Sequence, residues 1–452
     1  MSDSSNPPCL VAIIGGAVSG AEAAKVFTER GIGAVVLEQN DRPYGKIEDG
    51  LPRWHDKQRP QEYKRIDERL SHPLVHFIPR TRIGRDVAFE DLVKNWGFSC
   101  VLLANGAWRD RPLGIEGVEA YLGKGFYYQN PFIYWFNHSS EKDFKGTRCE
   151  VAEGAIVVGG GLASLDVVKV LMLETIATAL RARGIQEDVI HMEHEGPSAT
   201  LRRHGLTLES LGVKPCTLYY RRRLQDMPLA SYKDGADEAS RRKTEETRAK
   251  LLNNAKESSL FRFQECVRPV DKIVEGGRLA GLRFLRTEMK GDKLVDVPDS
   301  TFDVRAPLTI SSVGSIPEPV AGIPMKGELY VWRDREHGEL DFGVGVYGVG
   351  NVVTGKGNIA VSRKHGQFIA DHVAQAYLGL AKLPAGTSLL EGVAGESAEK
   401  ARKIADEIPR RSARLSSAAY DAALAKVRAR QKAVGYVDYA SWMQKVVPAD
   451  LR

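Results

Sequence analysis

Two glycine-rich turns, far apart in the chain, carry the residues whose types and spacing could do chemistry. The first follows the apolar run 11–14 and reads Gly15-Gly16-Ala17-Val18-Ser19-Gly20. The second follows the apolar run 155–158 and reads Gly159-Gly160-Gly161-Leu162-Ala163-Ser164. Such a turn bends sharply, lets a pyrophosphate approach the backbone and directs the positive end of the following helix at it. One such fingerprint is a weak signal, but two in a strand–turn–helix context predict two dinucleotide sites.

Charged residues stand at the end of the strand that would follow each turn. Glu38 closes the apolar run 34–37, where an acidic side chain accepts hydrogen bonds from the hydroxyls of an adenosine ribose. Arg221 and Arg222 close the run 217–220. Arginines there suit a 2′-phosphate, because guanidinium groups offer forked donors and permanent charge, although a solvated basic cluster is the alternative. The second site therefore predicts NADPH rather than NADH, and two dinucleotides on one chain favour a redox flavoprotein.

The elements that must position these turns are predicted to form an α/β protein with two Rossmann-like dinucleotide-binding domains. At 452 residues the chain is too long for a single hydrophobic core. We expect residues 8–110 and 314–380 to form an FAD-binding domain and residues 118–306 an NADP-binding domain inserted into it. Residues 381–452 are expected to form a helical C-terminal extension, with Trp442 and Met443 as the anchors that dock it.

Composition excludes several functional classes. The five cysteines are scattered singly with no C-x-x-C pair, which argues against an iron–sulfur cluster, a zinc site or a redox dithiol, so no metal is predicted. No apolar run approaches the roughly 20 residues of a membrane helix. The polar N-terminus leads into a buried strand and does not read as a signal peptide. We therefore expect a cytoplasmic protein without a membrane or nucleic-acid partner.

Much of the net charge of +6 is local to the C-terminal region. Residues 381–452 contain 13 Lys and Arg against 8 Asp and Glu. A surface of this sign attracts acidic protein partners, and the alternative is the solvated face of helices. The oligomeric state cannot be predicted from these features.

Several segments, taken in order, resemble adrenodoxin-reductase-like ferredoxin–NADP reductases and the small subunit of glutamate synthase. The turn 159–166 resembles the NADP turn of these reductases, and the segment 221–228 resembles the matching segment of the glutamate synthase subunit. The segment 44–55 is similar to the one that passes the flavin in this family, and 346–359 is similar to its closing flavin segment. The resemblance covers roughly residues 8 to 380.

The resemblance implies roles for individual residues. It places His55 and Asp166 near the flavin–nicotinamide junction as candidate catalytic residues, where a histidine assists proton movement. A structural histidine and an aspartate that only braces a helix are the alternatives. The candidate cofactor-binding residues, with the backbone of the last three beside the isoalloxazine or ribityl chain, are Gly15, Gly16, Ala17, Ser19, Gly20, Glu38, Gly45, Gly106, Gly159, Gly161, Leu162, Ala163, Arg221, Arg222, Gly350, Asn351, Gly357, Asn358 and Ile359.

The function that the resemblance implies is an FAD-dependent oxidoreductase that passes electrons between NADPH and ferredoxin or a similar acidic iron–sulfur carrier. Two alternatives stay open. One is a glutamate-synthase-like electron-input subunit, although such subunits usually carry N-terminal cysteine clusters. The other is a flavin-bearing assembly subunit of a larger redox complex, with the basic C-terminal extension as its docking surface.

Overall fold

The computed structural model describes residues 9–142, 144–232, 235–342, 345–355, 357–380 and 414–448, which divide into two compact units. The first unit contains residues 9–47, 57–108 and the described residues from 316 onward. The second unit contains residues 48–56 and 109–315. The segment 48–56 thus groups with the second unit, although it lies inside the range 8–110 expected for the FAD domain. Residues 381–413 of the expected C-terminal extension lie outside the described residues.

The described residues form strands of two to 13 residues and α-helices of four to 22 residues. In chain order the strands are β1 (Leu10–Ile14), β2 (Gly33–Leu37), β3 (Val75–Ile78), β4 (Cys100–Leu103), β5 (Arg109–Asp110), β6 (Phe126–Tyr128), β7 (Ile156–Gly159), β8 (Thr217–Tyr219), β9 (Arg262–Gln264), β10 (Val267–Glu275), β11 (Arg278–Lys290), β12 (Lys293–Arg305), β13 (Thr309–Ser312), β14 (Ser315–Ile316), β15 (Met325–Lys326), β16 (Leu329–Tyr330), β17 (Glu339–Leu340) and β18 (Gly345–Gly348). The helices are α1 (Val18–Thr28), α2 (Lys46–Asp49), α3 (Gln58–Leu70), α4 (Phe89–Asn95), α5 (Gln129–His138), α6 (Leu162–Ala182), α7 (Val189–Glu195), α8 (Pro197–Arg203), α9 (Leu208–Leu211), α10 (Glu238–Ser259), α11 (Asn351–Thr354), α12 (Ile359–His372), α13 (Ser417–Ala433) and α14 (Tyr439–Val446).

The first unit is built on a six-stranded sheet in the order β17-β18-β4-β1-β2-β3. Its strands are parallel except β17 at one edge. Every residue of β1 and β2 is buried, as expected for parallel strands that are covered on both faces. Val11 and Ile13 enter the core formed with α1, α3 and α12, whereas Ala12 and Ile14 enter the core formed with α4 and α13. The strands β1, β2 and β4 are paired in register up to their last residues, so they end at the same edge of the sheet. The first glycine turn begins at this edge.

The second unit is built on a five-stranded parallel sheet in the order β6-β13-β7-β8-β9. The long helix α6 follows β7 and buries an apolar stripe that includes Val167 and Leu171. A separate antiparallel sheet, β10-β11-β12, belongs to the same unit, and the sequence patterns give no indication of it. Exposed cross-strand pairs such as Arg283 with Asp303, at 2.7 Å, lie on this sheet.

The C-terminal helices α13 and α14 pack on the first unit. Leu424 and Val427 of α13 join one of its cores, and Trp442 and Met443 of α14 join the other. The predicted α/β class with a helical C-terminal region is confirmed. No helix within the described residues has both the length and the apolar character needed to cross a membrane.

Candidate functional site

The first glycine turn leaves β1 at Ile14 and enters α1 at Val18. Gly15 has a positive φ of 101°, and a Cβ atom there would lie 2.7 Å from the carbonyl oxygen of Ala104. Gly20 packs so closely on the turn that a Cβ atom would overlap the carbonyl oxygen of Gly15. The helix begins after Ala17 without a side-chain cap, so its first N–H groups are available to an anion.

A pocket lies at this edge of the sheet in the first unit. It includes four of the predicted cofactor-binding residues: Gly15, Ala17, Glu38 and Gly45. The other lining residues are Ile14, Leu37, Gln39, Thr81, Arg82, Ile83, Ala104, Asn105, Trp108, Glu318, Pro319 and Val320. Because the pocket sits at the carboxyl ends of β1, β2 and β4, it occupies the position where open α/β sheets bind ligands.

Glu38 is the buried acid of this pocket, with only 5% of its surface exposed. Its Oε2 accepts a hydrogen bond from the N–H of Gly16 at 2.9 Å, and its Oε1 accepts one from the N–H of Asn40 at 3.0 Å. The carboxylate is therefore held beside the glycine turn, where the sequence predicts contact with a ribose.

The hydrogen-bonding state of the Asn105 side chain indicates which kind of ligand fits the pocket. Its Nδ2 donates to the hydroxyl of Tyr330 at 3.4 Å, while its buried Oδ1 has no hydrogen-bond partner in the protein. Burial raises the pKa of Tyr330 to about 12, so this hydroxyl stays protonated. A buried acceptor left without a donor costs about 1–3 kcal/mol. The pocket thus fits a ligand that brings a donor, such as the adenosine portion of FAD.

The closing segment packs against the first turn. Gly350 has a positive φ of 74°, and a Cβ atom there would lie 2.5 Å from Oγ of Ser19. The N–H of Gly350 donates to Nδ1 of His365 at 3.0 Å. Burial lowers the pKa of His365, which keeps the ring neutral and able to accept this hydrogen bond.

The other predicted flavin-site residues lie outside the lining of the pocket. Asn351 begins α11, and its buried Oδ1 has no hydrogen-bond partner in the protein. Asn358 caps α12 by accepting the N–H of Val361 at 2.7 Å. The predicted residues that do not line the pocket are Gly16, Ser19, Gly20, Gly106, Gly350, Asn351, Gly357, Asn358 and Ile359.

The second glycine turn follows β7, which ends at Gly159, and opens α6. Gly161 is the residue before the helix and provides no side-chain cap, and a Cβ atom there would meet no atom within 4 Å. Leu162 is half-exposed, and Ala163 is partly exposed. Behind the turn, Ser164 donates to the carbonyl oxygen of Ser312 at 3.1 Å. The 21-residue helix therefore begins without a side-chain cap, beside open space at Gly161.

Arg221 and Arg222 follow β8 in the second unit, the first exposed and the second half-buried. Their backbone carbonyls accept hydrogen bonds from β11 and from the residue before β10: the hydroxyl of Thr287 donates to Arg221 at 2.7 Å, and the N–H of Cys266 donates to Arg222 at 3.2 Å. Nε of Arg222 is buried without a hydrogen-bond partner in the protein. This donor fits an anionic group such as a 2′-phosphate.

The two candidate catalytic residues meet within the second unit. Nε2 of His55 lies 4.0 Å from Oδ1 of Asp166, which is beyond hydrogen-bond distance. That nitrogen is buried and has no hydrogen-bond partner in the protein. The structure therefore brings the pair together and leaves one imidazole nitrogen available.

Helices α5, α6 and α7 hold the segment 48–56 that carries this histidine. Asn137 of α5 donates to two backbone carbonyls of the segment, at 2.9 and 3.1 Å. The ring of Trp54 is buried beneath the ammonium of Lys169, which lies 5.1 Å from the ring centre. Nε2 of His194 in α7 is 3.3 Å from the carbonyl oxygen of Trp54. Helix α7, which lies between α6 and β8 in the chain, thus contacts this segment directly.

All five cysteines lie within the described residues, and each carries a thiol that is not in a disulfide bond. Cys9, Cys100 and Cys216 are buried, and burial raises the pKa of Cys216 to about 12, so its thiol stays protonated. Within the part of the chain that the structure describes, no three His, Cys, Asp or Glu side chains are grouped to hold a metal ion.

The amino-acid sequence is similar to those of several known proteins. No protein-family model matches the chain. The mitochondrial NADPH:adrenodoxin oxidoreductase of Arabidopsis thaliana is 24% identical over 353 residues, which are 72% of this chain and 71% of that protein. The glutamate synthase (NADPH) small chain of Mycobacterium tuberculosis is 25% identical over 385 residues, 83% of this chain and 68% of that protein. A probable NADPH:adrenodoxin oxidoreductase of Schizosaccharomyces pombe is 29% identical over 137 residues, only 30% of this chain and 28% of that protein.

A solved structure decides the fold. Mycobacterium tuberculosis FprA in complex with NADPH aligns with a TM-score of 0.67 at 19% identity, over 94% of this chain and 91% of FprA. This chain has the fold of FprA. Its sequence is also similar to adrenodoxin oxidoreductases and to glutamate synthase small chains over most of its length. The resemblance predicted from the separate segments is therefore confirmed.

Proposed function

We propose that this protein is an FAD-dependent oxidoreductase that passes electrons between NADPH and a small acidic iron–sulfur carrier of the ferredoxin type. The observation that carries the proposal is the pair of glycine turns on two parallel sheets, one followed by a buried acid and the other by arginines. The relatives are named for NADPH and, in two cases, for adrenodoxin, which supports the same reaction class.

The first unit is the proposed FAD site. The turn around Gly15 would bind the pyrophosphate. Glu38 would accept hydrogen bonds from the ribose hydroxyls, and Oδ1 of Asn105 would accept a hydrogen bond from a donor group of the ligand. Gly45, Gly106 and the closing segment 350–359 complete the proposed set. FAD, when bound, supplies the exchange between two-electron and one-electron chemistry, and the chain supplies position and electrostatics.

The second unit is the proposed NADPH site. The uncapped start of α6 after Gly161 would bind the pyrophosphate, since an anion at a helix N-terminus gains about 0.3–1 kcal/mol. Arg221 and Arg222 would bind the 2′-phosphate, where hydrogen bonds to a charged partner contribute about 1.5–3 kcal/mol each. NADH lacks that phosphate, so this contact sets the preference between the two nucleotides.

We propose that His55 and Asp166 take part in proton transfer. Nε2 of His55 has no partner in the protein, and a proton held there would face the carboxylate of Asp166 4.0 Å away. An imidazole nitrogen beside a carboxylate suits a site where proton and electron transfer are coupled.

A second candidate function is an electron-input subunit similar to the glutamate synthase small chain. The observation that favours it is the alignment with that small chain, which includes 83% of this chain. The role of a flavin-bearing assembly subunit and the cytoplasmic location of this protein are predictions from the sequence.

The decisive experiment is an anaerobic titration of the purified protein with NADPH, followed by oxidised ferredoxin. We expect a yellow protein whose flavin absorbance is bleached by about one equivalent of NADPH and restored by ferredoxin. Restoration only by a glutamate synthase large subunit would favour the second candidate. A flavin that NADPH does not bleach would favour the assembly subunit, and a protein that stays colourless after incubation with FAD would contradict all three functions.

A further inference from the structure

The C-terminal helices α13 and α14 contact the two loops that form one wall of the pocket in the first unit. In α14, Nε1 of Trp442 donates to the carbonyl oxygen of Asp41 at 2.8 Å, on the loop that follows Glu38. In α13, Nε2 of Gln431 donates to the carbonyl oxygen of Phe77 at 2.9 Å, in β3 just before the other loop. Both loops are thus attached to the last two helices of the described chain.

Arg430 of α13 makes the contact nearest to the pocket. Its Nε donates to the hydroxyl of Thr81 at 3.0 Å, and its Nη2 donates to the carbonyl oxygen of Arg80 at 3.1 Å. Thr81 is 1% exposed and lines the pocket, and its hydroxyl donates in turn to the carbonyl oxygen of Pro79 at 3.0 Å. The N–H of Thr81 donates to the carbonyl oxygen of Glu38 at 2.8 Å. Hydrogen bonds through Thr81 therefore join Arg430 to the backbone of Glu38.

The backbone of this loop is strained and needs outside support. Arg80 has a positive φ of 51°, a conformation that a residue with a long side chain rarely adopts. Such a conformation persists only where the surroundings determine it. Here Arg430 binds the carbonyl group of Arg80, Asp41 pairs with its guanidinium group, and Trp442 lies under that group at 5.2 Å.

We infer that Arg430 is a positioning residue for FAD, which holds the loop 79–82 against Glu38 and so shapes the adenosine end of the pocket. This inference rests on the proposed function. It makes the C-terminal helices part of the flavin site, a role different from the docking surface that their basic charge suggests.

The test uses the full chain with Arg430→Gln, Arg430→Lys and the control Arg428→Gln, which changes an exposed arginine of the same helix. The apoprotein is titrated with FAD and, separately, with AMP, which contains only the adenosine end of FAD. We expect Arg430→Gln to weaken both ligands by the same factor, about tenfold, or about 1.4 kcal/mol. Arg430→Lys recovers part of the affinity, since an ammonium group reaches one acceptor but lacks the planar fork.

Three further measurements separate positioning from general structural support. The loop 79–82 is expected to relax locally when Arg430 is lost, so the thermal midpoint of the apoprotein and the Kd for NADPH should match the wild type in all three variants. The visible spectrum of bound flavin should also be unchanged, because the contact lies at the adenosine end.

The inference is overturned if Arg430→Gln binds FAD and AMP as the wild type does. It is also overturned if the apoprotein loses stability and the lysine variant recovers nothing, because Arg430 is then a purely structural residue. A wild-type protein that binds AMP but not FAD would contradict the proposed function, while the AMP arm would still decide the role of Arg430.

Discussion

The two glycine turns of this protein share a sequence pattern and differ in their surroundings. Around the first turn, Gly15 and Gly20 touch backbone atoms so closely that a methyl group would collide with them. At the second turn, Gly159 packs just as closely on the carbonyl oxygen of Ser312, but a methyl group on Gly161 would meet nothing within 4 Å. The first turn adjoins a buried acid, Glu38, whereas the second lies in a unit whose strand-end arginine, Arg221, is exposed.

The difference indicates that the same glycine-rich sequence pattern can bind either a permanently bound cofactor or an exchangeable nucleotide. A turn packed into a formed pocket suits a cofactor that stays bound, because release must break many contacts together. A turn that leaves a helix start open suits a nucleotide that binds and leaves in each cycle. The comparison agrees with FAD in the first unit and NADPH in the second, and three experiments can break or sharpen it.

The largest effect is expected from alanine at the two turns. Gly20→Ala drives a methyl group into the carbonyl oxygen of Gly15, and since neither is a flexible side chain the turn must open. We expect FAD affinity to fall by about 100-fold and stability by about 1–3 kcal/mol. Gly161→Ala is the matched control and should leave the flavin content and the thermal midpoint unchanged. Equal flavin loss in both variants would remove the distinction between the turns.

The next effect is expected at the arginines. Changing Arg221 and Arg222 together to Ala should lower the ratio of kcat/KM for NADPH over NADH by about 10- to 100-fold, through loss of charged hydrogen bonds. Arg223→Ala is the control, because that guanidinium already pairs with Asp226 at 2.9 Å. An unchanged ratio in the double variant would place the 2′-phosphate elsewhere, and flavin content should be normal in every case.

The smallest effect is a pH dependence of the first unit. Burial lowers the pKa of His365 below its ordinary value of 6.5. The folded state then binds fewer protons than the unfolded state, so the stability from neutral His365 is full above that value and declines as pH falls towards the lowered pKa. Protonation of Nδ1 would also end its hydrogen bond from Gly350.

We therefore expect the thermal stability of the first unit to fall between about pH 7.5 and about pH 5.5 through this group. His365→Asn provides an acceptor that does not titrate and should reduce the pH dependence, as measured by the thermal midpoint. His72→Asn, at an exposed position, is the control. An identical pH profile for wild type and His365→Asn would contradict the role of His365.

The sequence by itself determined the features that depend on neighbouring residues. Continuous apolar runs predicted β1 and β7, the glycine patterns predicted the turns after them, and strand-end position singled out Glu38 and Arg221. These signals are local, because a buried parallel strand and a turn close to a helix each need particular residues within a short stretch.

Only the tertiary structure decided which distant residues meet. The pocket takes Thr81, Asn105 and Glu318 from loops without a motif, and Arg430 reaches Thr81 across 349 positions in the chain. The grouping of segment 48–56 with the second unit also left no pattern in the sequence. Contacts of this kind arise when the sheets and helices pack, and a single side chain that completes a pocket needs no periodicity to be placed there.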